Sequence, residues 1–86
     1  MIMRLLNKIK RKVLKRFGAE NLINYFRQND KIMITFGVCG FIRNNFLWNK
    51  QRNVKRLAKI LGVQVIDDIS IAIFESIMLD LNIKRA

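Results

Sequence analysis

The sequence predicts a small α+β domain that is mainly helical. We expect about four helices around a buried C-terminal helix, with a small two- or three-stranded element near residues 31–48. Three observations lead to this prediction. Apolar residues recur every three or four positions in several segments, which is helix periodicity. Residues 31–38 alternate in the manner of a strand. The segment 67–83 is apolar around most of a helix surface, which is typical of a helix packed from several sides.

The N-terminal segment predicts a basic amphipathic helix from Met3 to Phe17, ended by Gly18. Its apolar stripe consists of Ile2, Leu5, Leu6, Ile9, Val13 and Phe17. Its other faces hold basic residues and no acid, namely Arg4, Lys8, Lys10, Arg11, Lys12, Lys15 and Arg16. Like charges one turn apart destabilise a helix, so we expect packing of the stripe and a bound anion to offset them. A second, short helix is predicted from Ala19 to Gln28.

The middle of the chain is predicted to hold the strands. Ile32, Ile34, Phe36 and Val38 occupy alternate positions, and β-branched residues are frequent there. The segment 41–50 mixes aromatic residues with Asn and Arg, and it suits a partner strand, a short helix or an aromatic loop. In a chain with eight aromatic residues at least half should be core, and we expect Phe36 and Phe41 among them.

The C-terminal third predicts two more helices. Gln51 to Leu61 is a second basic amphipathic helix, and a short strand is expected at 63–66. The apolar helix then runs from Asp67 to Ile83. Acids at its start complement the positive helix N-terminus and can cap it, and basic residues complement its C-terminus. These end residues are Asp67, Asp68, Lys84 and Arg85.

The charge is distributed unevenly along a chain that we interpret as a single domain, residues 1–86. The formal net charge is +11. Residues 1–63 carry 15 Lys and Arg against two acids, which gives +13, and residues 64–86 carry two against four, which gives −2. A field this positive indicates a polyanionic partner. Nucleic acid is the first expectation, and an acidic protein surface or an anionic membrane surface are the others.

The two basic helices carry most of the predicted nucleic-acid-binding residues. Lys and Arg on several sides of a helix can follow a phosphate backbone and release its counterions. The predicted phosphate contacts are Arg4, Lys8, Arg11, Lys12, Lys15, Arg52, Lys55, Arg56 and Lys59. Arg43 and Trp48 are predicted to clamp or stack bases. This aromatic–Asn–Arg stretch favours RNA slightly over DNA.

Two short patterns resemble known nucleic-acid-binding motifs in part. Gly37 and Gly40 have the GxxG spacing of a KH-type loop, although the residues between them are apolar and no helix fits before them. The segment 57–63 resembles the first helix and turn of a helix-turn-helix. A recognition helix would then present Asp67 and Asp68 to phosphates, which is electrostatically unfavourable.

The residue types argue against catalysis, metal binding and cofactors. The chain has no His, so an imidazole base or ligand is excluded, and its one cysteine, Cys39, cannot form an intrachain disulfide. A lone cysteine and the lack of a signal peptide or long apolar run lead us to expect a cytoplasmic protein without a membrane span. A chain this short is expected to be marginally stable, or to be completed by self-association or a partner.

These observations predict a small, non-catalytic nucleic-acid-binding protein. The alternative is a regulator or inhibitor that binds an acidic protein surface, such as that of a nucleic-acid enzyme, with or without RNA. Chain size and charge fit both.

Overall fold

The chain folds as an assembly of helices in the computed structural model, which describes residues 2–82 and the side chains from residue 4 onward. Four helices are regular: α1 (Ile2–Phe17), α2 (Ala19–Arg27), α4 (Gln51–Leu61) and α5 (Ile66–Asp80). Between α2 and α4 lies a composite helix, α3, of residues 33–47. Its backbone is π-helical over Met33–Val38, α-helical over Cys39–Ile42 and π-helical again over Arg43–Leu47.

The predicted strands are therefore wrong, and the fold is all-helical across residues 2–82 rather than α+β. The alternation at 32–38 does not separate buried from exposed positions, because Ile32 and Phe36 are 70% and 73% exposed while Val38 is fully buried. Phe36 was expected in the core and is not there. The short strand expected at 63–66 is also absent: residues 63–65 form a connection, and Ile66 begins α5.

The inward face of α3 explains why this segment is helical. Its buried residues Val38, Ile42 and Phe46 are spaced by four, and Ile34, four positions earlier, is partly buried. Residues spaced by four do not stay on one side of a regular α-helix, because such a helix has 3.6 residues per turn. The wider i→i+5 turns of the π segments counter that drift and keep the stripe on one side. Gly37 and Gly40 lie within this helix rather than in a loop, so the KH-type interpretation has no structural support.

The other predicted helices are confirmed: α4 has the predicted bounds, and the ends of α1, α2 and α5 differ from the prediction by one to three residues. Gly18 and Gly62 follow α1 and α4 with φ of 85° and 71°, left-handed values that suit glycine. α5 begins one residue earlier than predicted, at Ile66. Its acids lie in the first turn without a side-chain cap hydrogen bond, so they complement the helix dipole rather than cap the helix. The predicted end at Ile83, the basic pair Lys84–Arg85 and the side chain of Ile2 lie outside the described residues.

The core is built on α5. This helix contacts α1, α3 and α4, and it contributes the buried residues Ile69, Ile73, Phe74, Ile77 and Met78. α1 adds Leu6, Ile9 and Val13. The helix is less enclosed than predicted, because Ile71 and Leu79 are 41% and 72% exposed. It nevertheless supplies the apolar surface on which the two basic helices pack.

Candidate nucleic-acid interface

The exposed side of α1 carries a row of four cations, here called the α1 stripe: Arg4, Lys8, Arg11 and Lys15. Their spacing of four, three and four residues places them on one side of the helix. All four are exposed, whereas Leu6, Ile9 and Val13 are buried on the opposite side. At 1.5 Å per residue the stripe is about 16 Å long. Lys12, also predicted to bind phosphate, is exposed beside it.

α4 carries a second row, here called the α4 stripe: Arg52, Lys55, Arg56 and Lys59. These positions recur at three- and four-residue spacing and are all exposed. The opposite side packs on the core through Leu57, which is fully buried, and through the partly buried Val54 and Ala58. Neither α1 nor α4 contains an acid, so neither helix can neutralise its own stripe.

The two basic helices are neighbours. α1 contacts α4, and both contact α5, so each turns its apolar side toward the same core and its stripe toward solvent. Within the described part of the chain, no stripe residue is paired with a carboxylate, because the ion pairs there join Lys10 to Asp80 and Arg43 to Asp67. The fold thus packs the two basic helices against each other and leaves the cations of both stripes exposed.

Lys10 differs from the other cations of α1. Its side chain is 11% exposed, and its Nζ lies 2.6 Å from Asp80 Oδ2 and donates a hydrogen bond to Ser76 Oγ over 3.2 Å. The pair lies in an open groove of about 660 Å³ that Arg4 and Arg11 also line. Asn7, one turn from both arginines, lines the same groove and was missed by the sequence analysis. Its position three residues after Arg4, and thus next to Arg4 on the helix surface, could have indicated that it lies beside the stripe.

Arg43 is engaged inside the protein rather than beside Trp48. Its side chain is 14% exposed, with Nε 3.7 Å from Asp67 Oδ1. One guanidinium nitrogen donates to the Thr35 carbonyl over 3.1 Å and another to Ser70 Oγ over 3.4 Å. This network ties both π segments of α3 to the start of α5. Arg43 therefore serves as a structural link, and we do not retain it in the proposed interface.

Trp48 stands at the turn between α3 and α4, and 48% of its surface is exposed. The other aromatic residues of this region face inward: Phe46 is 9% exposed, and the partly buried Phe41 contacts the rings of Phe46 and Phe17 edge-on. Phe41, which was expected in the core, packs against the core as a partly buried residue. Of the predicted base-contacting pair, Trp48 alone is available to a ligand.

Cys39, the one cysteine of the chain, is buried in the α-helical part of α3. Burial raises the pKa of the Cys39 thiol, against smaller opposite effects of a Ser70 hydrogen bond and the Arg43 charge. The thiol is thus held in its neutral, weakly nucleophilic form.

Across residues 2–82, no three His, Cys, Asp or Glu side chains come together in a way that could hold a metal ion. In the same range, every helix is too short or too polar to cross a membrane.

Comparison of the chain with protein-family models, with curated proteins and with solved structures finds no match.

Proposed function

We propose that this chain is a non-catalytic nucleic-acid-binding protein that contacts phosphates through the α1 and α4 stripes. The observation that carries the proposal is the pair of acid-free, unpaired cation rows on two contacting helices. A solvated helix face commonly intersperses Lys with Glu, which would neutralise part of this field. Here eight cations, with Lys12 beside them, face solvent without a counter-charge, which favours a polyanion as their partner.

The binding mechanism would be counterion release. Each phosphate neutralised by a Lys or Arg frees condensed cations, so affinity falls as salt rises. If about six to eight of these side chains engage phosphates, affinity drops by roughly three to four orders of magnitude between about 50 and 200 mM salt on a duplex, and by somewhat less on a single strand. No base contact is needed for this part of the binding energy.

RNA is the proposed nucleic acid, and two observations support it over duplex DNA. Trp48 is half-exposed next to the α4 stripe, and aromatic side chains stack on the unpaired bases that RNA presents. A DNA-reading helix-turn-helix would use α5 as its recognition helix. The first turn of α5, which would approach the DNA, instead carries the exposed acids Asp67 and Asp68, which repel phosphates. A cytoplasmic location is part of the proposal, and the presence of a single cysteine, which cannot form an intrachain disulfide, supports it.

The direct test is binding of the full chain to RNA and duplex DNA, with a charge-matched pair of variants. Lys55→Glu/Lys59→Glu reverses two cations of the α4 stripe, and Arg27→Glu/Lys31→Glu reverses two exposed cations outside both stripes. The two variants have the same net charge. We expect the first to bind RNA at least about 10-fold more weakly than the second. Both should keep their helicity, because exposed charges contribute little to stability.

Two outcomes would contradict the proposal. Equal losses in the two variants would mean that net charge, rather than the stripe, drives binding. No binding to RNA or DNA at about 50 mM salt would exclude a phosphate interface. In that case the alternative, a regulator that binds an acidic protein surface, becomes the better explanation of the same cations.

A further inference from the structure

A half-open cleft of about 400 Å³ lies where the turn after α3 meets α4 and the start of α5. Its apolar lining comes from Leu47, Val54 and Ile66, and Trp48 supplies an aromatic wall. Gln51 adds an amide that can donate and accept hydrogen bonds. The volume is in the range of small-ligand sites, and an apolar surface with a few polar groups is their usual composition.

The position of Trp48 follows from the local backbone. α3 ends at Leu47, after which Trp48 adopts an extended conformation with φ −62° and ψ 129°. Asn49 has φ 61°, a left-handed value that Asn tolerates, and the Lys50 N–H donates to the Leu47 carbonyl over 3.1 Å. The side-chain amide of Asn53 on α4 donates to the Phe46 carbonyl over 3.0 Å. These bonds fix the two sides of the cleft relative to each other.

The cleft is continuous with the α4 stripe. Lys55 lines it and is also a member of that stripe, and Lys59 lies one turn further along the helix. A ligand suited to this arrangement has a planar ring whose face can stack on Trp48 and whose polar edge can bond to Gln51, and an anionic group within reach of Lys55. A nucleotide has both, and its neighbours along a strand would extend toward Lys59.

We propose that this cleft receives an unpaired nucleobase of single-stranded RNA, stacked against Trp48, with an adjoining phosphate at Lys55. The inference rests on the proposed function, because it assigns one base-binding position within the phosphate interface. Bases in a duplex are already paired and stacked, and they cannot enter such a cleft without being displaced. The cleft therefore makes the interface selective for single strands, which the stripes alone would not do.

The intrinsic fluorescence of the chain tests this directly, because Trp48 is its only tryptophan. The full chain is titrated with a labelled single-stranded oligonucleotide, with the same RNA as a duplex, and with heparin, a polyanion without bases. Binding is followed by anisotropy of the labelled RNAs and by competition for heparin. We expect the single strand to change the Trp48 emission, and the duplex and heparin to bind without changing it.

Substitution of the ring separates stacking from charge. Trp48→Ala should weaken single-strand binding by roughly 5- to 100-fold and leave duplex binding unchanged. Trp48→Phe keeps a ring and should restore most of the loss. Phe36→Ala is the matched control, since Phe36 is a 73% exposed aromatic residue that does not line the cleft. It should bind both RNAs as the unmodified chain does.

The outcomes distinguish this inference from the function on which it rests. Salt-dependent RNA binding with unchanged Trp48 emission, or equal effects of Trp48→Ala and Phe36→Ala, would overturn the cleft as a base site and leave the phosphate interface standing. A chain that binds no nucleic acid at about 50 mM salt would overturn the proposed function, and the cleft with it.

Discussion

Lys8 and Lys10 lie two positions apart on α1, yet their surroundings are opposite. Lys10 is buried against α5 and paired with Asp80, whereas Lys8 is exposed in the α1 stripe. The same contrast separates Arg43, held by Asp67, Ser70 and Thr35, from the cations of the α4 stripe. Two acids of α5, Asp67 and Asp80, pair with cations whose side chains are mostly buried, whereas the cations of the stripes are exposed and have no carboxylate partner in the described residues. We infer that cations facing α5 stabilise the fold and that the stripes serve binding.

Removal of Arg43 should produce the largest effect on stability. Arg43→Met loses the hydrogen bonds to the Thr35 carbonyl and Ser70 Oγ together with the Asp67 ion pair. We expect the free energy of unfolding to fall by about 2–3 kcal/mol, measured by urea denaturation. Most of this comes from the hydrogen bonds, because the Asp67 side chain is 70% exposed and its ion pair is screened by solvent.

Arg52→Met is the control for this change, since it removes an exposed cation of the α4 stripe. Its unfolding free energy should stay within about 0.5 kcal/mol of that of the unmodified chain. If Arg43→Met does not fold, Arg43→Lys, which keeps the charge and loses the guanidinium geometry, should still show a partial loss. If Arg43→Met and Arg52→Met lowered the unfolding free energy equally, the division between fold-stabilising cations and stripe cations would be contradicted.

A smaller effect is expected at the Lys10–Asp80 pair. Asp80→Asn leaves the Lys10 ammonium with Ser76 Oγ but without its carboxylate partner. Because Asp80 is 58% exposed, water can replace part of the lost interaction, and we expect a cost of about 1–2 kcal/mol. Chemical denaturation at low and high salt measures it. Glu75→Gln, an exposed acid on the same helix, should cost less than half as much, and an equal cost would argue that Asp80 has no special partner.

The long apolar run with charged ends was sufficient to predict α5. Local periodicity was sufficient to predict α1, α2, α4 and both stripes. Each depends on neighbours three or four positions away, as with Arg4, Lys8, Arg11 and Lys15. Periodicity gave the wrong prediction at α3. Ile32, Ile34, Phe36 and Val38 alternate as in a strand, whereas the residues that α3 turns toward the core are spaced by four. That spacing suits a helix with π segments, which are rare and have no simple sequence signal.

The partners of Lys10 and Arg43 could not be predicted from local pattern. Lys10 and Asp80 are 70 positions apart, and they meet only because α1 packs on α5. In the sequence, Lys10 looks like any other cation of its helix. Arg43 was likewise expected to face a base because it lies near Trp48 in the chain. α3 ends at Leu47, between the two residues, so Arg43 contacts α5 whereas Trp48 lies in the turn that follows, and only the tertiary fold reveals this difference.

The measurement that tests this account most directly is the salt dependence of RNA binding for Lys8→Gln and Lys10→Gln. The two variants remove the same charge from the same helix. We expect the slope of log affinity against log salt to decrease in magnitude by about 1 for Lys8→Gln and to be unchanged for Lys10→Gln. Lys10→Gln alone should lower the unfolding free energy. Equal slope changes in the two variants, or a change at Lys10 alone, would contradict the division between fold-stabilising and binding cations.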